Sequence, residues 1–299
     1  EEESGGSSAV DHVAADPELD AAAAAVIFDG PMLGPRRPAF YVGLRGLAYF
    51  RVTVRAAERD GHSGLFGGAA LNAAHALMRV LGAVTPDGGP RPALAVGTVP
   101  PTEEERAAWE MLPPGEEVLA GSGLVPADAV AARDFYLRTT ALPSVDVHGI
   151  ACGDPAVVAT SIPAVATCTV SVRVAPGQSA EAVGAVLERL MRDAAPDGAR
   201  VDIAALEAAE PALVDPAHPV VRRAADAVEA ATGWRPAPVR IGGTLPVVTA
   251  LAARGVPVIL TGFYLPDDGV HSPNEGISLD HLAVGVRAAA AILEALGGT

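Results

Sequence analysis

Lysine is absent from this sequence, and all 21 of its lysine or arginine positions hold arginine. Together with the high alanine content, this composition is typical of GC-rich bacterial genomes and carries no functional signal. Acidic residues number 36, so the chain of 299 residues has a formal net charge of −15 at pH 7. Because nucleic-acid-binding proteins present basic patches to phosphates, this charge argues against a nucleic-acid partner.

Cysteine is scarce as well, and the two thiols belong to Cys152 and Cys168. A chain of this length can bury a large core without cross-links. We therefore expect both thiols to be reduced and buried rather than joined in a disulfide. Two cysteines also exclude a clustered cysteine metal site.

Long apolar runs and several well-known catalytic motifs are missing too. The strictly apolar candidate at residues 21–28 ends at Asp29. It falls well short of the ~20 residues that span a bilayer, so the sequence predicts no membrane partner. No signal peptide is visible in these 299 residues. The Gly-x-Ser-x-Gly elbow of serine hydrolases and the phosphate-binding P-loop are also absent.

The hydrophobic pattern in the middle of the chain predicts an α+β module. Apolar and polar residues alternate over 46–55, which is typical of a strand. Further patterns predict a helix at 72–81, strands at 144–150 and 164–174, a helix at 180–193 and a strand at 200–206. This order of strands and helices is the ferredoxin-like arrangement.

The flanking segments predict an α/β layer that this module interrupts. A buried strand is expected to end on Asp29, and the C-terminal region combines helical patterns at 218–232, 245–254 and 280–296 with an apolar strand at 258–261. Such alternation is typical of α/β domains. We therefore expect a ferredoxin-like domain at 46–208, inserted into an α/β domain formed by 1–45 and 209–299.

Glu2, Glu3, Asp29 and His271 are the strongest candidates for a metal site. Carboxylate and imidazole groups are ligands that suit zinc. A further carboxylate that does not bind the metal could act as a general base toward water. The alternative is an acidic chain end and a surface histidine with no site between them.

Three other residues are candidates for substrate contacts. His62 lies in a glycine-rich stretch, where an imidazole could donate a hydrogen bond to an oxyanion or could merely cap the loop. Arg173 ends an apolar strand and could bind a carboxylate or form a structural salt bridge. Thr244 follows two glycines before a helix, where it could cradle an anion or serve as an ordinary N-cap.

Five motifs occur in a fixed order along the chain. They are Gly43-Leu-Arg-Gly46, Asp60-Gly-His-Ser-Gly-Leu-Phe-Gly-Gly68, Val174-Ala-Pro-Gly-Gln178, Gly242-Gly-Thr-Leu-Pro246 and Leu265-Pro-Asp-Asp-Gly-Val-His-Ser-Pro-Asn-Glu275. Together they resemble the M20 family of zinc peptidases, within it the branch of cytosolic dipeptidases and carnosinase-like enzymes. The resemblance implies a cytoplasmic homodimer in which a ferredoxin-like lid interrupts an α/β catalytic domain.

The resemblance also implies a chemistry. A peptide or related amide bond would be hydrolysed by a water that zinc activates, with two zinc ions per active site and Mn²⁺ or Co²⁺ as alternatives. Glu2 corresponds to the general base of the family. Glu3, Asp29 and His271 correspond to metal ligands.

For the lid, the resemblance implies a shared active site. His62 corresponds to the histidine that reaches the partner subunit's active site and polarises the scissile carbonyl. Thr160 and Arg173 match lid positions that contact the substrate, with Arg173 on its carboxylate. Thr244 corresponds to the Ser or Thr of a Gly-Gly-Ser substrate-binding turn.

The sequence departs from the family at one important point. The family's upstream His-x-Asp motif and its metal-bridging aspartate have no counterpart in the 299 residues. We therefore expect an incomplete catalytic domain that is inactive by itself. An N-acyl-amino-acid deacylase of the same family is an alternative, since an acylated amino acid would use the same residues. A non-catalytic dimerisation or binding module is another, if the chain is expressed without an N-terminal half.

Overall fold

A computed structural model describes residues 7–270 and 273–297 of the chain. Its strands are β1 (Ala25–Phe28), β2 (Ala39–Leu44), β3 (Gly46–Arg55), β4 (Gly61–His62), β5 (Ser144–Ala151), β6 (Ser161–Ile162), β7 (Val165–Val174), β8 (Arg200–Ala209), β9 (Ala212–Leu213), β10 (Ala237–Ile241) and β11 (Val258–Thr261). Its α-helices are α1 (Ser7–Ala15), α2 (Ser63–Phe66), α3 (Ala73–Gly82), α4 (Glu103–Trp109), α5 (Gly115–Gly121), α6 (Ala180–Asp193), α7 (Pro219–Thr232), α8 (Pro246–Ala253) and α9 (Leu279–Gly297). Short 3₁₀ turns lie at Pro17–Ala21, Pro92–Leu94 and Pro266–Asp268, and a π-helical turn at Leu137–Ala141.

These elements form two compact units. The first unit contains the described parts of 1–44, 100–141 and 212–299, and the second contains 45–99 and 142–211. The sequence predicts an inserted domain over all of 46–208, whereas residues 100–141 belong to the first unit. The physical reason is a buried ion pair between this segment and β10, described below.

The second unit is built on an antiparallel sheet with the strand order β5-β7-β3-β8. β3 and β7 pair over their full length, from Gly46 opposite Val174 to Arg55 opposite Val165. Helix α3 connects β3 to β5, and helix α6 connects β7 to β8. This connectivity and strand order are those of a ferredoxin-like fold, as the sequence pattern predicted.

The core of the second unit lies between its sheet and its two helices. Alternate residues of β3, such as Phe50 and Val52, point to the helices and are buried. On α6, the apolar residues Val183, Leu187 and Met191 recur at helical spacing and pack into the same core. This one-sided burial leaves the other face of the sheet for polar side chains.

The first unit is an α/β layer with helices on both faces of its strands. β1 pairs in parallel with β11, and β10 pairs in parallel with β2. The Thr261 hydroxyl donates a hydrogen bond of 2.7 Å to the Ala39 carbonyl, which joins the two strand pairs. Alternate residues of β2 enter two different apolar clusters, one with α7 and α9 and the other with α8. Both faces are therefore buried, as is typical of parallel sheets.

Within the described residues, no helix combines the length and the apolar character needed to cross a membrane.

The two cysteines are free thiols in different surroundings, and they should react differently. Burial raises the pKa of Cys168 to about 11, whereas Cys152 is half-buried and its pKa is raised chiefly by burial and less by the Asp60 charge. At pH 8 only about a thousandth of the Cys168 thiol is then in the reactive thiolate form.

Iodoacetamide at pH 8 should modify Cys152 in the folded protein and Cys168 only after unfolding. Peptide mass spectrometry checks this, and equal labelling of both residues would contradict the burial of Cys168.

Candidate active site

His62 and Thr160, two candidates that lie 98 residues apart in sequence, meet in the second unit. The short strands β4 and β6 pair antiparallel, with His62 opposite Ser161. The Ser63 amide donates a hydrogen bond of 2.8 Å to the Thr160 carbonyl. The His62 Nε2 lies 3.3 Å from the Thr160 hydroxyl. The ladder thus joins two loops and presents an imidazole and a hydroxyl side by side on an exposed surface.

The hydrogen bonds of His62 define which of its ring nitrogens carries the proton. Its Nδ1 accepts a hydrogen bond of 3.0 Å from the Gly64 amide and caps α2. In a neutral imidazole the proton then resides on Nε2, so Nε2 is the donor. One ring nitrogen thus caps α2, and the other lies within hydrogen-bonding distance of the Thr160 hydroxyl.

Two glycines are required for this arrangement of His62. A Cβ on Gly64 would lie 3.0 Å from the His62 Cε1 atom, so the ring would have to shift by a few tenths of an ångström. A Cβ on Gly67 would lie 2.4 Å from the Ser63 carbonyl oxygen and would break the turn that follows α2. Gly64 and Gly67 thus lie where a side chain would crowd the histidine cap and the turn that follows it.

Asp60 holds the base of the two loops together. One carboxylate oxygen accepts a hydrogen bond of 3.1 Å from the Ser161 hydroxyl. The other accepts one of 2.9 Å from the Ala164 amide. The position of the His62–Thr160 pair is therefore fixed by contacts on both sides of it.

Arg173 lies at the opposite end of the same sheet from the His62–Thr160 pair. It pairs with Leu47 at one end of the β3–β7 ladder, whereas the two loops follow the other end, where Arg55 pairs with Val165. Arg173 lies eight positions after Val165 on β7, which corresponds to about 26 Å along the strand. The structure therefore does not bring Arg173 together with His62 within the unit.

Arg45 is a neighbour of Arg173 that the sequence analysis did not single out as a site residue. It is 9% exposed, and its guanidinium donates to the Ser144 hydroxyl at 3.2 Å. Burial, together with the positive charge of Arg173, lowers the pKa of Arg45 to about 10, and Asp146 partly opposes this shift. Two guanidinium groups near each other favour an anion, so Arg45 adds to the positive potential around Arg173.

Asp29 and Thr244 lie in the first unit, each just after a strand. The Asp29 amide donates a hydrogen bond of 2.8 Å to the Thr261 carbonyl, so Asp29 sits at the carboxyl end of the β1–β11 pair. Thr244 lies between β10 and α8, where Leu245 rather than Thr244 occupies the N-cap position. Carboxyl ends of parallel strands are the usual place for ligands in such layers.

The remaining candidates, Glu2, Glu3 and His271, lie outside the described residues. Within residues 7–270 and 273–297, no group of three or more His, Cys, Asp or Glu side chains is arranged to hold a metal ion. Asp29 is therefore the single proposed ligand in the described part of the chain. These residues do not form a metal site by themselves.

A buried ion pair between Arg240 and Glu105, which the sequence does not predict, lies near the Thr244 turn in the chain. The Arg240 Nε donates to the Glu105 carboxylate at 2.6 Å, and both side chains are 1% exposed. The Glu105 carboxylate also accepts from the Thr102 amide at 2.5 Å in a capping box at the start of α4. Arg240 further donates to the Pro100 carbonyl at 3.0 Å. This network joins residues 100–141 to the strand that leads into Gly242-Gly-Thr244.

Comparison with known proteins defines the class to which this fold and site belong. Residues 42–199, more than half of the chain, match the M20 peptidase dimerisation domain. The chain therefore belongs to the M20 peptidase family. The matched segment includes His62, Thr160 and Arg173.

Several relatives are dipeptidases. The chain is 27% identical over 282 residues to the Cys-Gly metallodipeptidase DUG1 of Saccharomyces cerevisiae. The aligned region covers 91% of this chain and 58% of the relative. It is 29% identical over 284 residues to the cysteinylglycine-S-conjugate dipeptidase of Corynebacterium striatum, covering 90% of this chain and 60% of the relative. The crystal structure of human carnosine dipeptidase 1 superposes with a TM-score of 0.66 at 26% identity, over 92% of this chain and 59% of that one. The chain thus spans less than two thirds of the length of these relatives.

Proposed function

We propose that this protein hydrolyses dipeptides in a metal-dependent reaction. The observation that carries the proposal is the exposed His62 imidazole, whose Nδ1 is held by the Gly64 amide while Nε2 offers a proton beside the Thr160 hydroxyl. A fixed N–H donor of this kind stabilises the negative charge that develops on a carbonyl oxygen during amide hydrolysis. Similarity to dipeptidases over about nine tenths of the chain supports the same substrate class.

The proposed metal is zinc, with Mn²⁺ or Co²⁺ as alternatives. The proposed ligands are Glu3, Asp29 and His271, and Glu2 is the proposed general base. Asp29, at the carboxyl end of β1, has the position and chemistry of a ligand. Because the 299 residues contain no counterpart of the family's His-x-Asp motif and bridging aspartate, we propose that residues 1–299 alone turn over little substrate.

The proposed assembly is a homodimer formed through the second unit. The β3–β7 ladder separates the His62–Thr160 pair from Arg173 by its full length. This separation supports an active site to which one subunit contributes Arg173 and the other contributes His62 and Thr160. Such sharing is consistent with the match to a dimerisation domain.

Arg173 is the proposed contact for the substrate carboxylate. The neighbouring Arg45 is buried and donates a hydrogen bond to the Ser144 hydroxyl. Its charge raises the local positive potential and thereby favours a substrate with a free carboxylate. Thr244 is a further proposed contact for the substrate.

A hydrolysis assay tests the proposed function. The protein encoded by the whole open reading frame that contains the Glu1 codon is stripped of metal with a chelator and then given Zn²⁺, Mn²⁺ or Co²⁺. Cys-Gly, β-Ala-His and an N-acetyl amino acid serve as substrates. We expect hydrolysis of the dipeptides after metal is restored, and no turnover above background by residues 1–299 alone.

The other outcomes separate the alternatives. Hydrolysis of the N-acetyl amino acid but of neither dipeptide would identify a deacylase. No hydrolysis of any substrate with any metal would leave a non-catalytic dimerisation or binding module. Substantial turnover by residues 1–299 alone would contradict the proposal that they lack essential ligands.

A further inference from the structure

Arg173 lies on the face of the second unit's sheet opposite to the face that α3 and α6 cover. Side chains alternate along β7, so Arg173 shares this open face with Ser171, whereas Val172 points into the core between sheet and helices. Gly46 pairs with Val174 at the end of the β3–β7 ladder. Arg173 therefore belongs to the last row of the ladder on the open face, and the row that contains Ser171 is next to it.

The row next to Arg173 combines side chains from three strands. Ser171 lies opposite Tyr49 of β3 and opposite Asp146 of β5. The register of β5 shifts between residues 147 and 149, at His148. The His148 ring stacks on the Tyr49 ring, with centroids 4.9 Å apart and an interplanar angle of 19°. We refer to Tyr49 and His148 together as the ring pair.

Ser171 fixes the orientation of the ring pair. The His148 Nε2 atom and the Ser171 hydroxyl share a hydrogen bond of 2.8 Å. Ser171 is 3% exposed although it lies on the open face, whereas His148 is exposed. A ring that a stack and a hydrogen bond already hold in place loses little conformational freedom when a ligand binds to it. The His148 imidazole is thus both accessible and preorganised.

The ring pair lies at a distance from Arg173 that suits one amino-acid residue. Successive rows on one face of a strand are two residues apart, which corresponds to about 7 Å. In a dipeptide, the side chain of the C-terminal residue branches from the same carbon atom as the carboxylate. If Arg173 holds that carboxylate, the side chain next to it comes within reach of the neighbouring row, where the ring pair is exposed.

We propose that the ring pair contacts the side chain of the substrate's C-terminal residue and selects a planar ring at that position. Planar rings stack on one another with a gain beyond that of buried area, and an exposed, oriented imidazole offers such a surface. The proposal rests on the dipeptide hydrolysis and on the role of Arg173 proposed above. It adds Tyr49 and His148 as the residues that determine which dipeptides are preferred.

Two substrates that differ in the C-terminal side chain alone test this preference. The enzyme with restored metal should have a higher kcat/KM for β-Ala-His than for β-Ala-Gly. His148→Ala should lower the ratio of these two constants about tenfold, because the exposed ring of the stack is lost. The matched control is His75→Ala on α3, which removes an exposed histidine from the other side of the sheet and should leave the ratio unchanged.

A second variant keeps the test decisive if His148→Ala folds poorly. Tyr49→Leu retains an apolar side chain opposite Ser171 and leaves the His148–Ser171 hydrogen bond in place, but leucine cannot stack. It should lower the same ratio about threefold or more. Unchanged circular dichroism spectra will show which variants are folded.

Binding without turnover separates this proposal from the proposed hydrolysis. After the metal is removed with a chelator, the enzyme is titrated with each dipeptide up to about 20 mM, which nearly saturates a site of millimolar affinity. The imidazole NMR signal of His148 is identified by its loss in His148→Ala. It should shift with β-Ala-His and stay in place with β-Ala-Gly, since glycine has no side chain to reach the ring. In Arg173→Met the shift should disappear, because the carboxylate has lost its anchor.

Each contrary result bears on one proposal. A wild type without preference for β-Ala-His, or a ratio that both folded variants leave unchanged, would overturn the ring pair as a specificity site while dipeptide hydrolysis stands. A His148 signal that responds to both dipeptides alike, or to neither, would overturn it without reference to turnover. If the signal moves with β-Ala-His alone but no dipeptide is hydrolysed, the ring pair is upheld and the proposed hydrolysis is wrong.

Discussion

Replacing Arg240 with methionine should lower the free energy of unfolding of the first unit by about 3–5 kcal/mol, because it leaves the buried Glu105 carboxylate without its partner. Both side chains are 1% exposed, so water cannot replace the lost contacts. Glu105 would still accept from the Thr102 amide, but one capping hydrogen bond does not compensate a buried charge. Urea unfolding followed by tryptophan fluorescence measures the effect, since Trp109 and Trp234 both belong to this unit.

Two further variants give this prediction its controls. Arg235→Met removes an arginine that binds the carboxylates of Asp226 and Glu229 but is 53% exposed, and it should cost less than about 1 kcal/mol. Adding Glu105→Gln to Arg240→Met removes the orphaned charge while it keeps an acceptor for the Thr102 amide. This double variant should be more stable than Arg240→Met alone. If Arg240→Met lowered the free energy of unfolding no more than Arg235→Met, the buried pair would not be what holds residues 100–141 to the rest of the first unit.

The sequence predicts the second unit well because its elements have regular periodicity. The predicted strand at 46–55 and helix at 180–193 have the bounds observed for β3 and α6. Each has one buried face and one exposed face, so the apolar positions recur with the period of the element. The two-domain arrangement follows from the same patterns.

The first unit is harder to predict, since β2 and β11 have no exposed face. β2 is buried at every position and therefore shows no alternation. β10, at the edge of its sheet, contains Pro238 and the charged Arg240, two residues that weaken a strand pattern. Arg240 is tolerated there because Glu105, 135 residues earlier in the chain, neutralises it. A local pattern cannot reveal such a distant partner.

The candidate site was predictable to a different degree at each residue. His62 stands out because glycines surround it, and a histidine in such a loop is a recognisable signal. Thr160 has no pattern of its own and was expected to contact substrate only through the family resemblance. The structure adds that the two form one pair, through a ladder of two residues per strand that is too short to leave a periodic trace. Arg45 belongs to the Gly43-Leu-Arg-Gly46 motif, but only the fold reveals its position next to Arg173.

In the dimeric enzyme, His62→Ala should lower kcat about 10²–10³-fold and change KM little, because the lost Nε2 donor acts on charge that develops in the transition state. His75→Ala serves as the matched control, since His75 is an exposed histidine on α3 outside the proposed site. It should leave both constants unchanged. Steady-state hydrolysis of Cys-Gly measures them, and an unaltered kcat in His62→Ala would remove this residue from the reaction.

Mixing two inactive variants tests whether the site is shared between subunits. His62→Ala retains Arg173, and Arg173→Met retains His62, so a mixed dimer contains one site with both residues intact if the two come from different chains. Random exchange of subunits makes half of the dimers mixed, and each mixed dimer has one intact site of two, so about a quarter of the wild-type activity should return. If both residues served the same site from one chain, neither subunit could repair the other. The length of the β3–β7 ladder separates His62 from Arg173 and favours the return of activity. A mixture as inactive as its parents would reject the shared site.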